Sequence, residues 1–210
     1  MLLTLIRHGE TEHNRGQLTL GRADIPLNHR GRLQARAIAA SFAVPPAAIY
    51  SSSLGRCRDT AQAIALATNT AVVVEPDLIE MDVGEMEHLT REELRSRYPS
   101  FLQQWLHDPA DARMPGGETL REVQERGWAA LERIAAAHGA ADEHPAGEVV
   151  IVTHNFVILT VTCRALGLPL AGFRRLRVGI ASRTSMEVTP AGATVTCLNA
   201  TDHVRSAGLG

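Results

Sequence analysis

Arg7, His8 and Gly9 follow the apolar run Leu2-Leu3-Thr4-Leu5-Ile6 without a break. These residue types suit phosphate chemistry. A guanidinium presents a planar fork of donors to phosphate oxygens, an imidazole nitrogen can attack phosphorus, and a glycine lets the backbone turn sharply without a Cβ clash. The apolar run reads as a short buried strand, and open α/β sheets place ligands at the carboxyl ends of such strands. Far along the chain, Val149 to Thr153 repeats the pattern, running into His154 and Asn155. Parallel strands that both end in histidine bring the two imidazoles to one rim. A helix opening near Asn155 aims free amides and its positive dipole end at that rim, which favours an anion.

Two more clusters carry charge where structure alone gives no reason for it. Ser51 to Ala61 follows a strand and opens a helix. Arginine in a first helical turn opposes the dipole, so Arg56 and Arg58 point to a bound anion. In Leu78-Ile79-Glu80-Met81-Asp82-Val83-Gly84-Glu85, carboxylates beside a phosphate site make electrostatic sense only if one is protonated. A nearby anion and partial burial both raise a carboxyl pKa, which makes Glu80 a candidate proton donor.

The elements that must position these groups alternate between strand and helix. Helices are expected over Gly31–Phe42, with Leu33, Ala37, Ile38 and Phe42 as its apolar stripe, and over Leu54–Ala67 and Asn155–Leu166. Strands are expected at Ala47–Ser51, Ala71–Val74, Glu148–Thr153, Thr184–Val188 and Ala193–Leu198, the last two joined by a Pro190-Ala191-Gly192 turn. Thr90-x-x-Glu93 and Thr119-x-x-Glu122 are capping-box patterns, the second opening a long helix to about His138. The alternation predicts an α/β fold, a three-layer α/β/α sandwich with a mostly parallel central sheet. We read 1–210 as one domain, with a helical insertion over the site at 81–117 and a loop at 140–147.

Composition sets limits. A chain of 210 residues with 45% hydrophobic residues can bury a substantial core, and with 4% aromatics that core is aliphatic. A formal net charge of −2 gives no reason to expect nucleic acid or a membrane surface as partner. All 21 cationic side chains are arginine, which excludes lysine Schiff-base chemistry. Cys57, Cys163 and Cys197 are widely spaced and odd in number, which fits a reduced, cytoplasmic chain. The N-terminal apolar run is too short for a signal peptide or a membrane span.

The ordered set RHGETEHN, GRADIPLNHRGRLQA, SSLGRCRDTA, LIEMDVGEMEHLT, PGGET and VTHN resembles the histidine phosphatase superfamily, in the branch of cofactor-dependent phosphoglycerate mutases and small phosphomonoesterases. The resemblance covers nearly the whole chain. It implies a phosphoglycerate mutase-like sandwich and a metal-independent enzyme, with no cofactor, acting on a small phosphorylated metabolite. It implies that His8 becomes phosphohistidine, that Arg7, Arg56 and His154 clamp the phosphate, and that Asn14 binds a phosphate oxygen. Gly21 lies in the substrate loop, Glu80 serves as acid and then base, and the Asn155 amide faces the phosphate. Arg22, Met86, His88 and the Gly116-Gly117-Glu118 turn shape the pocket, and Arg174, Arg175 and Arg177 are either a second anion site or a solvated patch.

Two departures put the substrate in doubt. Met86-Glu87-His88 stands where the family often has Trp-Glu-Gly, and Leu20 where a Gln often precedes the loop glycine. By analogy with the family, whose mutases usually carry a longer and more basic insertion there, a phosphatase is preferred to a mutase, since the 81–117 stretch is short and carries only Arg91, Arg95, Arg97 and Arg113 as cations. A non-catalytic phospholigand module and a dinuclear metal hydrolase are the other readings, and the late strands offer an edge for a homodimer.

Overall fold

The strand β1 (Leu2–Arg7) lies at the centre of the sheet because its apolar residues have cover on both faces. Leu3, Leu5 and Ile6 are fully buried. The computed structural model describes residues 1–139, 147–189 and 191–210. After β1 come α1 (Glu12–Arg15), α2 (His29–Ala40), β2 (Ala48–Ser51), α3 (Gly55–Thr68), β3 (Val72–Val74), α4 (Arg91–Arg97) and α5 (Pro99–His107). They are followed by α6 (Leu120–Gly139), β4 (Val149–Thr153), α7 (Asn155–Ala165), β5 (Arg183–Thr189), β6 (Gly192–Ala200) and α8 (Asp202–Ser206).

The six strands are ordered β3-β2-β4-β1-β5-β6. β3, β2, β4 and β1 run parallel, whereas β5 and β6 pair antiparallel on one side. The sheet is therefore mixed and mostly parallel, as expected. Period-two alternation splits its side chains between two cores. Leu3, Leu5, Val149 and Ile151 join residues of α6 and α7 on one face. Ile6, Ile49, Val150 and Val152 join residues of α2 and α3 on the other. Every residue of β4 is buried, the signature of a parallel strand covered on both faces.

The element boundaries differ from expectation by two residues at most, and at α2 part of the buried face differs as well. Its buried face is Gly31, Gln34, Ala35, Ile38 and Ala39, while Leu33 and Ala37 are only half-buried. Gly31 turns inward because a Cβ there would collide with the carbonyl oxygen of Glu10, and Gln34 accepts the Glu10 amide at 2.9 Å. The helix thus packs a polar edge against the site loop. Both expected capping boxes form, at Thr90/Glu93 and Thr119/Glu122. A third, Thr11/Asn14, opens α1. The expected loop at 140–147 falls outside the described residues except for Gly147, and Pro190 of the expected hairpin turn falls outside them too.

Candidate active site

The register of two strands builds the centre. Arg7 of β1 lies opposite Thr153 of β4, and the His8 amide donates to the Thr153 carbonyl at 3.1 Å. His8 and His154 therefore leave the sheet side by side, with ring centroids 5.2 Å apart at 63°. Both rings are buried.

The hydrogen bonds of His8 assign its tautomer. Nδ1 donates to the Gly9 carbonyl at 2.7 Å, and Nε2 accepts from Nε of Arg56 at 3.3 Å. The lone pair is thus on Nε2. Burial pushes the His8 pKa well down, and the charges of Arg56 and Arg7 push it further against the Gly9 bond. His154 is depressed in the same way, by burial and then by Arg56. Its Nε2 lies 2.8 Å from the Ser52 hydroxyl and 3.3 Å from Sγ of Cys57. Gly9 serves a different purpose from the one expected. Its φ is not positive, but a Cβ there would collide with the Gly31 carbonyl, so the glycine permits close approach to α2.

Arg56 is fully buried in the first turn of α3. Its guanidinium donates to the carbonyls of Ala23 at 2.8 Å and Gly21 at 2.6 Å. The loop carrying those carbonyls is itself gripped by Glu87, which accepts the amides of Gly21 at 2.6 Å and Ala23 at 3.1 Å. Asp24 of the same loop caps α3 by accepting the Gly55 amide at 2.7 Å. The expectation that Arg58 shares the site fails, because one residue pair along a helix turns about 200° and leaves Arg58 exposed. Arg7 donates to the Val178 carbonyl at 2.8 Å and to Oδ1 of Asn155 at 3.4 Å. Its buried Nε has no partner, a donor aimed at nothing in the protein.

Glu80 is buried against the head of α7, and its Oε1 accepts the amides of Met81 at 2.9 Å and Phe156 at 3.2 Å. Burial raises its pKa, against the Met81 bond and the charges of Arg56, Arg7 and Arg126. Of the amides at the head of α7, the one that Glu80 accepts is that of Phe156. Asn14 spends its side-chain oxygen on the cap of α1, accepting from the Thr11 amide and hydroxyl.

Arg22 is held by carboxylates, 2.8 Å from Glu118 and 3.4 Å from Asp82. Met86 is buried, and His88 adopts φ +67°, a conformation that glycine enters more easily. Nδ1 of His88 meets Nε2 of His13 at 2.7 Å. Arg174, exposed, donates to the Trp105 carbonyl and lies over the Phe173 ring. Sequence reasoning assigned no role to Glu87, Asp24 or Ser52. Glu87 sits inside a motif it quoted, but nothing in the spacing shows that a carboxylate grips two amides of a loop 64 to 66 residues away. Among the described residues, no group of three or more His, Cys, Asp or Glu is arranged to hold a metal.

Residues 3–201 match the family model for the histidine phosphatase superfamily (branch 1). The probable phosphoglycerate mutase GpmB of Cronobacter sakazakii is 33% identical over 83% of this chain and 79% of its own length. Phosphoserine phosphatase 1 of Hydrogenobacter thermophilus is 31% identical over 96% of this chain and 93% of its own. Among solved structures, Bacillus stearothermophilus YhfR superposes with a TM-score of 0.88 at 28% identity, covering 97% of this chain and 98% of that one. Mycobacterial glucosyl-3-phosphoglycerate phosphatase, solved with VO3, gives 0.84 at 30% identity, covering 95% and 99%. The chain belongs to the histidine phosphatase superfamily, branch 1, and is an enzyme of phosphomonoester hydrolysis.

Proposed function

We propose that this chain hydrolyses a small phosphorylated metabolite through a phosphohistidine on His8. The single observation that carries the reading is the state of His8: proton on Nδ1, lone pair on Nε2, a second imidazole and a buried guanidinium beside it. Nε2 attacks phosphorus, an N–P bond forms, and the bond to the ester oxygen breaks. Arg7, Arg56 and His154 stabilise charge on the transferring oxygens, and the unpartnered Nε of Arg7 is one donor for them. Asn14 adds a side-chain amide, the Asn155 amide faces the phosphate, and Gly21 and Arg22 belong to the loop over it. Glu80, protonated, gives its proton to the leaving alcohol, then takes one from the water that breaks the N–P bond. The 81–117 segment covers the site within a single domain.

Hydrolysis is favoured over isomerisation by where the remaining cations lie. Arg91, Arg95, Arg97 and Arg113 are all exposed; Arg97 pairs with Glu93, and Arg113 pairs with Glu122. Arg22 is occupied by Asp82 and Glu118. A mutase needs cations turned into the site for a second anionic group, whereas these four face solvent and Arg22 is neutralised. Assay of 3-phosphoglycerate with and without its bisphosphorylated primer checks this, and primer-dependent isomerisation outrunning phosphate release reverses the preference. Among the described residues no helix is long and apolar enough to cross a membrane, and we place the enzyme in the cytoplasm on its unpaired thiols.

The decisive experiment is His8→Ala. Turnover should fall to background with the melting curve retained, and the acid-labile radiolabel that the parent enzyme shows after rapid quench should vanish. More than a trace of remaining hydrolysis removes His8 from the nucleophilic role.

A further inference from the structure

We propose that Glu118 is a positioning residue for the general acid: its carboxylate locks the guanidinia of Arg22 and Arg126 onto the backbone that carries Glu80. The proposal rests on Glu80 acting as acid, but concerns residues with no part in the phosphate clamp.

The geometry is closed on both sides of Glu118. Oε1 accepts from Arg22 at 2.8 Å and from Nε of Arg126 at 3.0 Å. Oε2 accepts from Nη2 of Arg126 at 3.1 Å and from the Asp82 amide at 2.9 Å. Held this way, Arg126 donates to the carbonyls of Asp77 at 2.7 Å, Ile79 at 2.5 Å and Glu80 at 3.1 Å. Arg22 reaches the same Glu80 carbonyl at 3.4 Å. Two cations from separate parts of the chain, the substrate loop and α6, thus converge on the peptide of the acid.

The turn beneath is jammed into place. The Glu118 amide donates to the Asp82 carbonyl at 2.9 Å, and a Cβ on Gly117 would strike that carbonyl. Gly84, at φ +53°, faces Pro115 just as closely. Pro115-Gly116-Gly117-Glu118 is therefore a fixed shelf under 77–84 rather than a free pocket wall. Glu118 spends both oxygens inward, which leaves none for a substrate.

Charge gives the arrangement a second consequence. Glu80 must carry a proton to act as acid, yet Arg7 of β1, Arg56 of α3 and Arg126 of α6 all favour its ionised form. The Cys57 thiol of α3, the Met81 amide and the Phe156 amide of α7 also face it, and Arg22 meets its carbonyl. Glu118 and Asp82 offset the cations of Arg126 and Arg22. Burial pushes the Glu118 pKa up, but bonds from Arg126 and the Asp82 amide and the Arg126 and Arg22 charges outweigh it, so it stays ionised.

The test compares Glu118→Gln with the parent enzyme in kcat/KM, which reports the step that phosphorylates His8. On an alkyl phosphate, a poor leaving group, kcat/KM should fall at least tenfold. On p-nitrophenyl phosphate, which needs little protonation, the loss should stay under about threefold. The alkaline limb of the alkyl phosphate profile should move to lower pH, because Glu80 then faces uncompensated arginines. Arg22→Met, a change at a partly exposed residue, should also slow the alkyl phosphate selectively but move the limb the opposite way. This variant decides the matter on the same readouts if Glu118→Gln does not fold. Equal losses on both substrates, or an unmoved limb, overturn the proposal. Glu80→Gln, run alongside, separates the failures. If it discriminates between the substrates and Glu118→Gln does not, only the positioning role falls; if it does not discriminate, the acid role itself falls.

Discussion

A carboxyl group among three arginines would ordinarily be the strongest acid in the site. Glu80 goes the other way because burial outweighs the charges that favour ionisation. In the proposed mechanism its raised pKa keeps a proton available for the leaving oxygen, and a bound phosphate dianion raises it further. Glu80→Gln should therefore cost about 10²-fold or more in kcat/KM for alkyl phosphates, and much less for p-nitrophenyl phosphate. It should also flatten the fall in rate that the parent enzyme shows as pH rises through the Glu80 pKa. Initial rates on both esters across pH check this, and equal losses would assign Glu80 a structural role. Much of this chemistry was legible from the chain alone, because His8 and His154 end two buried strands and Arg56 opens a helix against its dipole, whereas Glu80 stood out only as a carboxyl in company with them. Their partners were not. Glu87 and Asp24 act through backbone amides, and an amide carries no residue identity to read.

Elements are positioned here by close backbone approach as much as by side-chain packing. The loop after β1 meets the first turn of α2 through Gly9 and Gly31, where neither residue leaves room for a methyl group. Gly31→Ala should destabilise the protein by about 1–3 kcal/mol, since overpacking against fixed backbone outweighs the ~1 kcal/mol that alanine gains in a helix. Denaturant unfolding measures it, and an unchanged or higher midpoint would show that the loop can move aside. Helix and strand placement was readable because periodicity and caps are local. The buried face of α2 was read only in part for the same reason. Ile38 is fully buried and Ala37 and Phe42 pack against the same core, but Leu33 lies off it, and the demand for a glycine against Glu10 and for Gln34 on its amide was missed. Only the neighbouring loop sets that demand, and the helix sequence does not display it.

For the molecule as a whole, burying two imidazoles and a carboxyl makes stability depend on pH. His8 and His154 are held below their ordinary value near 6.5, so the unfolded chain takes up protons first as pH falls. Their contribution is complete above pH 6.5 and is lost as pH drops below it. Glu80, raised above 4.5, works in the opposite sense by favouring the protonated fold. Two depressed histidines outweigh one raised carboxyl, so the melting temperature should fall between about pH 6.5 and 4.5. A flat thermal profile across that range would show that one of the imidazoles is already charged in the fold. The mixed sheet was only partly legible: a short turn pattern joins the last two strands as a hairpin, but nothing in them marks that β5 runs antiparallel to β1. That the two histidines would converge was legible, because both strands end in the same way.

Pairing Arg7 with Thr153 makes the parallel strands a ruler with one-residue graduations. Side chains change faces at every step of a strand, so a single-codon insertion or deletion inside β1 or β4 would turn one imidazole away from the other. The joining loops face no such rule. Relatives of this enzyme can diverge in length in the loops among the 145 residues between the two histidines, provided the count within these two short strands stays unchanged.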